Sequence, residues 1–126
     1  MNKLLTIVNV GIAGLFLIMG LLWLIAPAFI GQQLGMALLQ GVGLSTQIGD
    51  LSAFFITLGL CVLLAAITNN KIWFYPAMML AGLAAVGRTL AWILHGADLA
   101  LDLIVVEALL VIFLYFSSTR IDQKRV

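Results

Sequence analysis

Charge is what this sequence has least of. Of its 126 residues, 9% are charged and 64% are hydrophobic. An average soluble domain carries about 25% charged residues, so a chain this poor in charge needs lipid around most of its surface. The formal net charge is +1, and this excludes a nucleic-acid-binding face, because such a face needs clustered Lys and Arg.

Cysteine and histidine are also scarce, with one residue of each. A lone Cys61 excludes an internal disulfide and a paired-cysteine redox motif, and we interpret it as a small buried apolar side chain. One histidine is too few for a metal centre. The HExxH, GxSxG and P-loop patterns are absent from the sequence. We therefore expect no metal, no cofactor and no catalytic residues of a known motif.

Long apolar runs are what the sequence has instead. A bilayer is crossed by about 20 mostly apolar residues, and the chain has four such runs, at about 4–26, 50–68, 72–94 and 99–116. They predict an all-α fold in which residues 1–126 form a single domain, a four-helix transmembrane bundle. The first run exceeds the roughly 7–15 residues of a signal-peptide core, which favours a spanning helix over a cleaved signal.

The basic residues outside the spans predict the orientation. With four spans they all fall on one side of the membrane: Lys3, Lys71, Arg120, Lys124 and Arg125. The positive-inside rule places that side, and both termini, in the cytoplasm. Trp23 and Trp92 then belong to an aromatic belt at the outer interface.

The segment 27–49 joins the first two spans and is too apolar for a solvated loop. Apolar residues at 36, 38 and 39 beside glutamines at 32, 33 and 40 predict a short helix in the outer interface. Two interpretations stay open for this segment. It is either an irregular cover over the bundle or a gate for a ligand.

Two opposite charges lie inside the third and fourth spans. Arg88 is about 10 Å and Glu107 about 12 Å from the outer ends of their helices, at about 1.5 Å rise per residue. A short turn at 95–98 makes the helices antiparallel neighbours, and an unpaired charge at this depth costs about 2.5–3.5 kcal/mol or more. We therefore predict an Arg88–Glu107 ion pair that faces the bundle interior.

Further polar residues gather at the same outer end. His95 follows Arg88 by two helical turns, with Trp92 between them, Asp102 lies one turn into the fourth span, and Asp50 opens the second. Asp98 is a candidate cap for the fourth helix, and Gln47 and Thr89 are further candidates. Either the ion pair is a structural clamp, or the cluster lines an outward-facing pocket in which Arg88 binds an anionic or carbonyl head group. The inner half of the spans has no acidic residue and is interpreted as plain apolar packing.

The stretch AVGRTLAWILHGADLALDLIVVEALL resembles an uncharacterised branch of the DoxX-like superfamily of four-helix membrane proteins. The resemblance rests on the pair Gly87-Arg88, on Gly96 and on Glu107, and covers about residues 50–116. Asp50 departs from it, since a basic residue is expected near the start of the second span. The resemblance implies a four-helix bundle in a bacterial-type inner membrane, and an analogy at the level of the fold to subunits of quinone-linked oxidoreductases.

Three functions remain open at this point. The first is a non-enzymatic protein: an accessory subunit of a larger membrane complex, or a module that binds membrane lipid or quinone. The second is a small transporter or channel that works as a homo-oligomer and uses Arg88 and Glu107. The third is a membrane enzyme with His95 or Glu107 as general base. Small size and the absence of a catalytic motif favour the first.

Overall fold

The computed structural model describes residues 1–121, and Lys124 and Arg125 lie outside this range. We number five α-helices in chain order: α1 (Lys3–Ile25), α2 (Pro27–Gln33), α3 (Val42–Thr68), α4 (Phe74–His95) and α5 (Leu101–Thr119). A single 3-10 turn at Lys71–Trp73 precedes α4. Four helices are long and apolar enough to cross a membrane. The predicted fold class, an all-α four-helix bundle, is confirmed.

Local sequence signals explain where α1 begins and ends. The side chain of Asn2 caps the first turn, since its Oδ1 accepts a hydrogen bond from the amide of Leu5 at 2.8 Å. Ala26 leaves the helical region, with φ −136° and ψ 62°, because a residue before proline avoids the α conformation. Pro27 has no amide hydrogen to satisfy and takes the first position of α2.

The connection between the first two spans differs from the prediction. Its short helix lies at Pro27–Gln33, earlier than the glutamine and apolar spacing indicated, and residues 36–40 are irregular. The following span begins at Val42, about two turns before the expected Asp50. Gly41, with φ of +60°, turns the chain into α3. Residues 45–47, which the sequence placed in the connection, belong to α3, and Gln47 among them is buried.

Helices α1 and α3 pack closely and antiparallel. A methyl group added at Gly59 of α3 would lie 2.9 Å from the carbonyl oxygen of Ala13, and one added at Gly20 of α1 would lie 3.0 Å from the amide nitrogen of Ile56. The two backbones therefore approach closer than any side chain at these positions would allow. A methyl group added at Gly11 or Gly14 would meet nothing within 4 Å. A small residue in the sequence therefore does not by itself indicate where α1 and α3 are in contact.

The bundle has two ends that we name by their contents. The terminal end holds Asn2, the 69–73 turn and Arg120, and the loop end holds residues 26–41 and 96–100. Apolar side chains from all four long helices form a buried core that lies towards the terminal end: Ala13, Leu58, Val62, Ala65, Phe74, Ala77, Ala81 and Leu114. Whether the terminal end faces the cytoplasm stays a prediction.

Helices α1 and α5 meet along a seam with little direct contact. Asn9 of α1 is fully buried, and its Nδ2 donates to Ser117 Oγ of α5 at 3.0 Å and to the carbonyl of Leu5 at 2.9 Å. The bond to Ser117 is the hydrogen bond that joins these two helices within residues 1–121. The interpretation of this half of the bundle as plain apolar packing is therefore wrong. Asn9 is a polar residue within a mostly apolar run, and it is buried with a hydrogen bond to Ser117.

Candidate functional site

The charged pair lies between α4 and α5 in the loop-end half of the bundle. Arg88 Nε donates to Glu107 Oε1 at 2.5 Å. Arg88 is about 10 Å from the end of α4 at His95, and Glu107 about 9 Å from the start of α5 at Leu101, by helical rise. The two residues lie at similar depths on antiparallel neighbouring helices, and this is the reason why the pair could be predicted from the sequence. It is the one ion pair among residues 1–121.

The pair stands beside an apolar crevice to which all four long helices contribute. The inner part has a volume of about 160 Å³, and its walls include Phe16, Phe55, Ala84 and Leu110 as well as both charged side chains. A second part of about 270 Å³ shares Arg88, Phe54 and Phe55 with the first and extends towards the loop end. The structure thus combines one partly buried charged pair with an apolar hollow.

The second carboxylate oxygen of Glu107 has no hydrogen-bond partner among residues 1–121. Oε2 is buried, while the side chain as a whole is 15% exposed. The side chain of Arg88 is 37% exposed, and its guanidinium makes no further hydrogen bond to residues 1–121. A buried polar atom without a partner is destabilising by about 1–3 kcal/mol, and more for a charged group. The site therefore offers one unused acceptor next to unused donors.

The 34–40 segment covers the crevice at the loop end. Leu34 lines both parts of the crevice, and Met36 lines the outer one. Gln47 of α3 holds this segment, since its Oε1 accepts from the amide of Leu39 at 2.9 Å and its Nε2 donates to the carbonyl of Ala37 at 3.1 Å. Gln47 thus fixes this segment at the loop end of the crevice, and both interpretations of the segment, a cover or a gate, stay predictions.

Gln47→Ala is expected to loosen this cover without unfolding the bundle. It removes two hydrogen bonds, each with a net contribution of about 1 kcal/mol, and the freed groups of Ala37 and Leu39 lie on an exposed segment that polar solvent can reach. Hydrogen exchange in detergent should rise at 36–40 and stay unchanged in α1 and α5. Ser45→Ala, an exposed substitution on the same turn of α3, is the control. Unchanged exchange at 36–40 would show that Gln47 does not hold the segment.

Four predicted site residues lie apart from the crevice. His95, Trp92, Asp102 and Asp50 are all exposed, and none lines the space beside the ion pair. Their roles in binding stay a prediction. Asp98 does not cap α5, whose N-cap position is Ala100 without a side-chain hydrogen bond.

Trp23 is a residue whose position the sequence did not reveal. It is fully buried with Ile30 and Phe55 under α2, not in an exposed aromatic belt. A methyl group added at Gly31 would lie 3.6 Å from its ring, and its indole Nε1 has no hydrogen-bond partner in the described part of the chain. The ring is buried where α2 packs against it together with Phe55 of α3. The sequence pattern does not specify this position of α2.

No protein-family model, curated protein or solved structure matches this chain. The resemblance to the DoxX-like superfamily therefore stays a prediction.

Proposed function

We propose that this small membrane protein is a non-enzymatic module that binds one amphipathic lipid, with the head group beside Arg88 and Glu107. The observation that carries the proposal is the buried, unpartnered Oε2 of Glu107 at the wall of an apolar crevice. An unpartnered carboxylate oxygen can accept a hydrogen bond from a donor group of a ligand that enters the crevice. The site thus favours a ligand that brings a hydroxyl or another donor.

The charges also exclude a class of ligand. An anionic head group would meet the carboxylate of Glu107 at close range, where repulsion in a poorly hydrated site is strong. A neutral hydroxyl group fits better, because its hydrogen can be donated to Glu107 Oε2 while its oxygen accepts from the guanidinium of Arg88. A quinol carries such hydroxyls, whereas an oxidised quinone can only accept.

The dimensions of the crevice support a ring with an attached chain. An apolar cavity of about 150 Å³ in another protein is large enough to hold benzene, and the inner part here is about 160 Å³. Leu15 of α1 and Val106 of α5 line the crevice and are both more than half exposed. The crevice therefore opens sideways between these helices, and a hydrocarbon tail can leave through this opening into the bilayer.

Binding explains the structure better than conduction does. Leu58, Val62, Phe74 and Leu114, in the buried core towards the terminal end, are at most 1% exposed and form an apolar layer. A polar substrate that entered the crevice would meet this closed layer. Association with a larger membrane complex or with a second copy of the chain stays a prediction, as does the inner-membrane location.

A comparison of three related ligands tests the proposal. We expect a short-chain benzoquinol to bind the purified protein about tenfold or more tightly than its dimethyl ether, because a hydrogen bond to a charged group contributes about 1.5–3 kcal/mol. The corresponding quinone should bind with intermediate affinity, through Arg88 alone. Quenching of tryptophan fluorescence in detergent measures all three affinities.

Matched variants assign the discrimination to Glu107. Glu107→Gln keeps the size but loses the charge, so the preference for quinol over ether should fall below about tenfold, as a neutral hydrogen bond contributes about 0.5–1.5 kcal/mol. Asp102→Asn changes an exposed carboxylate on the same helix and should leave the preference intact. Equal affinity of the wild type for quinol and ether would contradict the proposal.

A further inference from the structure

The seam between α1 and α5 has a second opening beside the Asn9–Ser117 bond. We call it the terminal groove. It has a volume of about 640 Å³, and its walls come from α1 and α5 and the residues next to their ends, including Leu4, Val8, Phe113 and Phe116. The crevice beside Glu107 is lined by residues of these helices on the loop side of the same bond. The two hollows thus lie along a single seam, with the groove level with this hydrogen bond and the crevice nearer the loop end.

The charges that residues 1–121 place at the mouth of the terminal groove are positive. Arg120 lines the groove directly, and the exposed Lys3 neighbours two lining residues, Asn2 and Leu4. No acidic side chain in this part of the chain lines the groove. The crevice differs, since there the one cation is neutralised by Glu107. An apolar groove with a basic mouth between transmembrane helices matches the general chemistry of sites for anionic lipid head groups.

Arg120 is held in place at this mouth. Its guanidinium carbon lies 4.8 Å from the centre of the Phe116 ring, one turn back on α5. Phe116 itself lines the groove and is 45% exposed. The ring therefore forms part of the apolar wall and at the same time fixes the cation above it.

We propose that the terminal groove binds one anionic phospholipid, with its phosphate at Arg120 and the upper part of an acyl chain against Leu4, Val8 and Phe113. This site is separate from the proposed head-group site at Glu107. It recognises a negative charge, whereas the crevice disfavours one. Occupancy by a lipid also fills a seam that α1 and α5 leave open by themselves.

Native mass spectrometry of the full chain from lipid nanodiscs tests the inference. The nanodiscs contain equal amounts of phosphatidylglycerol and phosphatidylcholine with the same acyl chains. We expect one retained phosphatidylglycerol per chain. Arg120→Gln should lower the ratio of retained phosphatidylglycerol to phosphatidylcholine about fivefold, the effect of one basic residue near an anionic lipid. Arg120 is exposed at the end of α5, so this variant keeps the fold.

Two controls make the outcome specific to the groove. Lys71→Gln removes a basic residue of the same end that does not line the groove, and should leave the ratio unchanged. Phe116→Leu keeps an apolar wall but removes the ring under Arg120, and should lower the ratio by a smaller factor. If the ratio falls equally in the Lys71 and Arg120 variants, the preference reflects the general charge of the surface, and the proposal is overturned. Phosphatidylcholine bound as well as phosphatidylglycerol, or a lipid-free dimer, would overturn it too.

Discussion

Glu107→Leu, with Arg88 left in place, is expected to lower the free energy of unfolding by about 3–5 kcal/mol. The variant leaves a guanidinium about 10 Å deep in a membrane span without the carboxylate that accepts its Nε hydrogen bond. The double variant Arg88→Leu/Glu107→Leu should recover most of this loss, because it removes both charges from the membrane spans together. Reversible unfolding in mixed micelles, followed by circular dichroism, measures all three stabilities.

Asp102→Leu is the control for this cycle, since it removes an exposed carboxylate of the same helix and should change stability by less than about 0.5 kcal/mol. A double variant as unstable as Glu107→Leu would contradict the account of the pair. The cycle also separates the two interpretations of the site. A structural clamp predicts that the stable double variant still binds the quinol, whereas the proposed head-group site predicts that binding is lost.

Gly59→Leu is expected to destabilise the bundle by about 3 kcal/mol or more, at the upper end of the usual effect of overpacking. A side chain at this position meets the carbonyl oxygen of Ala13 and the amide nitrogen of Leu17, at 2.9 Å and 3.0 Å from its first carbon. Backbone atoms cannot rotate away, so α1 and α3 must separate. The same micelle unfolding assay applies.

Gly11→Leu provides the matched comparison, because the same substitution meets nothing within 4 Å. It should be neutral or slightly stabilising, since leucine has a higher helix propensity than glycine by up to about 1 kcal/mol. If the two variants lose similar stability, glycine would matter through the flexibility of the helix and not through the contact between α1 and α3.

Hydropathy predicted the four spans because membrane crossing constrains every residue of a helix at once. The Arg88–Glu107 pair was predictable for a related reason, since depth and a short connection together leave each charge one neighbour of opposite sign. The start of α3 and the position of α2 were not predictable in this way. They depend on Gln47 and on the burial of Trp23, and these contacts join residues whose spacing carries no periodic signal.

The crevice could not be predicted from the sequence, for a different reason. A hollow exists where helices fail to meet, and the pattern of apolar residues is the same whether a side chain faces a neighbour, a lipid or an empty space. Arg88 and Glu107 indicated the correct region, but His95 and Asp102, which are close to them in sequence, turned out to be exposed. Direction around the helix, not distance along it, decides which residues line the site.

The bond between Asn9 and Ser117 has a mechanical consequence. Helices α1 and α3 are locked by backbone contact at two glycines, whereas α1 and α5 are joined by this one side-chain hydrogen bond. Widening the seam would enlarge the cross-section of the protein in the membrane plane. Lateral pressure in the bilayer opposes such a change, and tension favours it. The exchange of a ligand through this seam is therefore expected to quicken when the membrane is stretched.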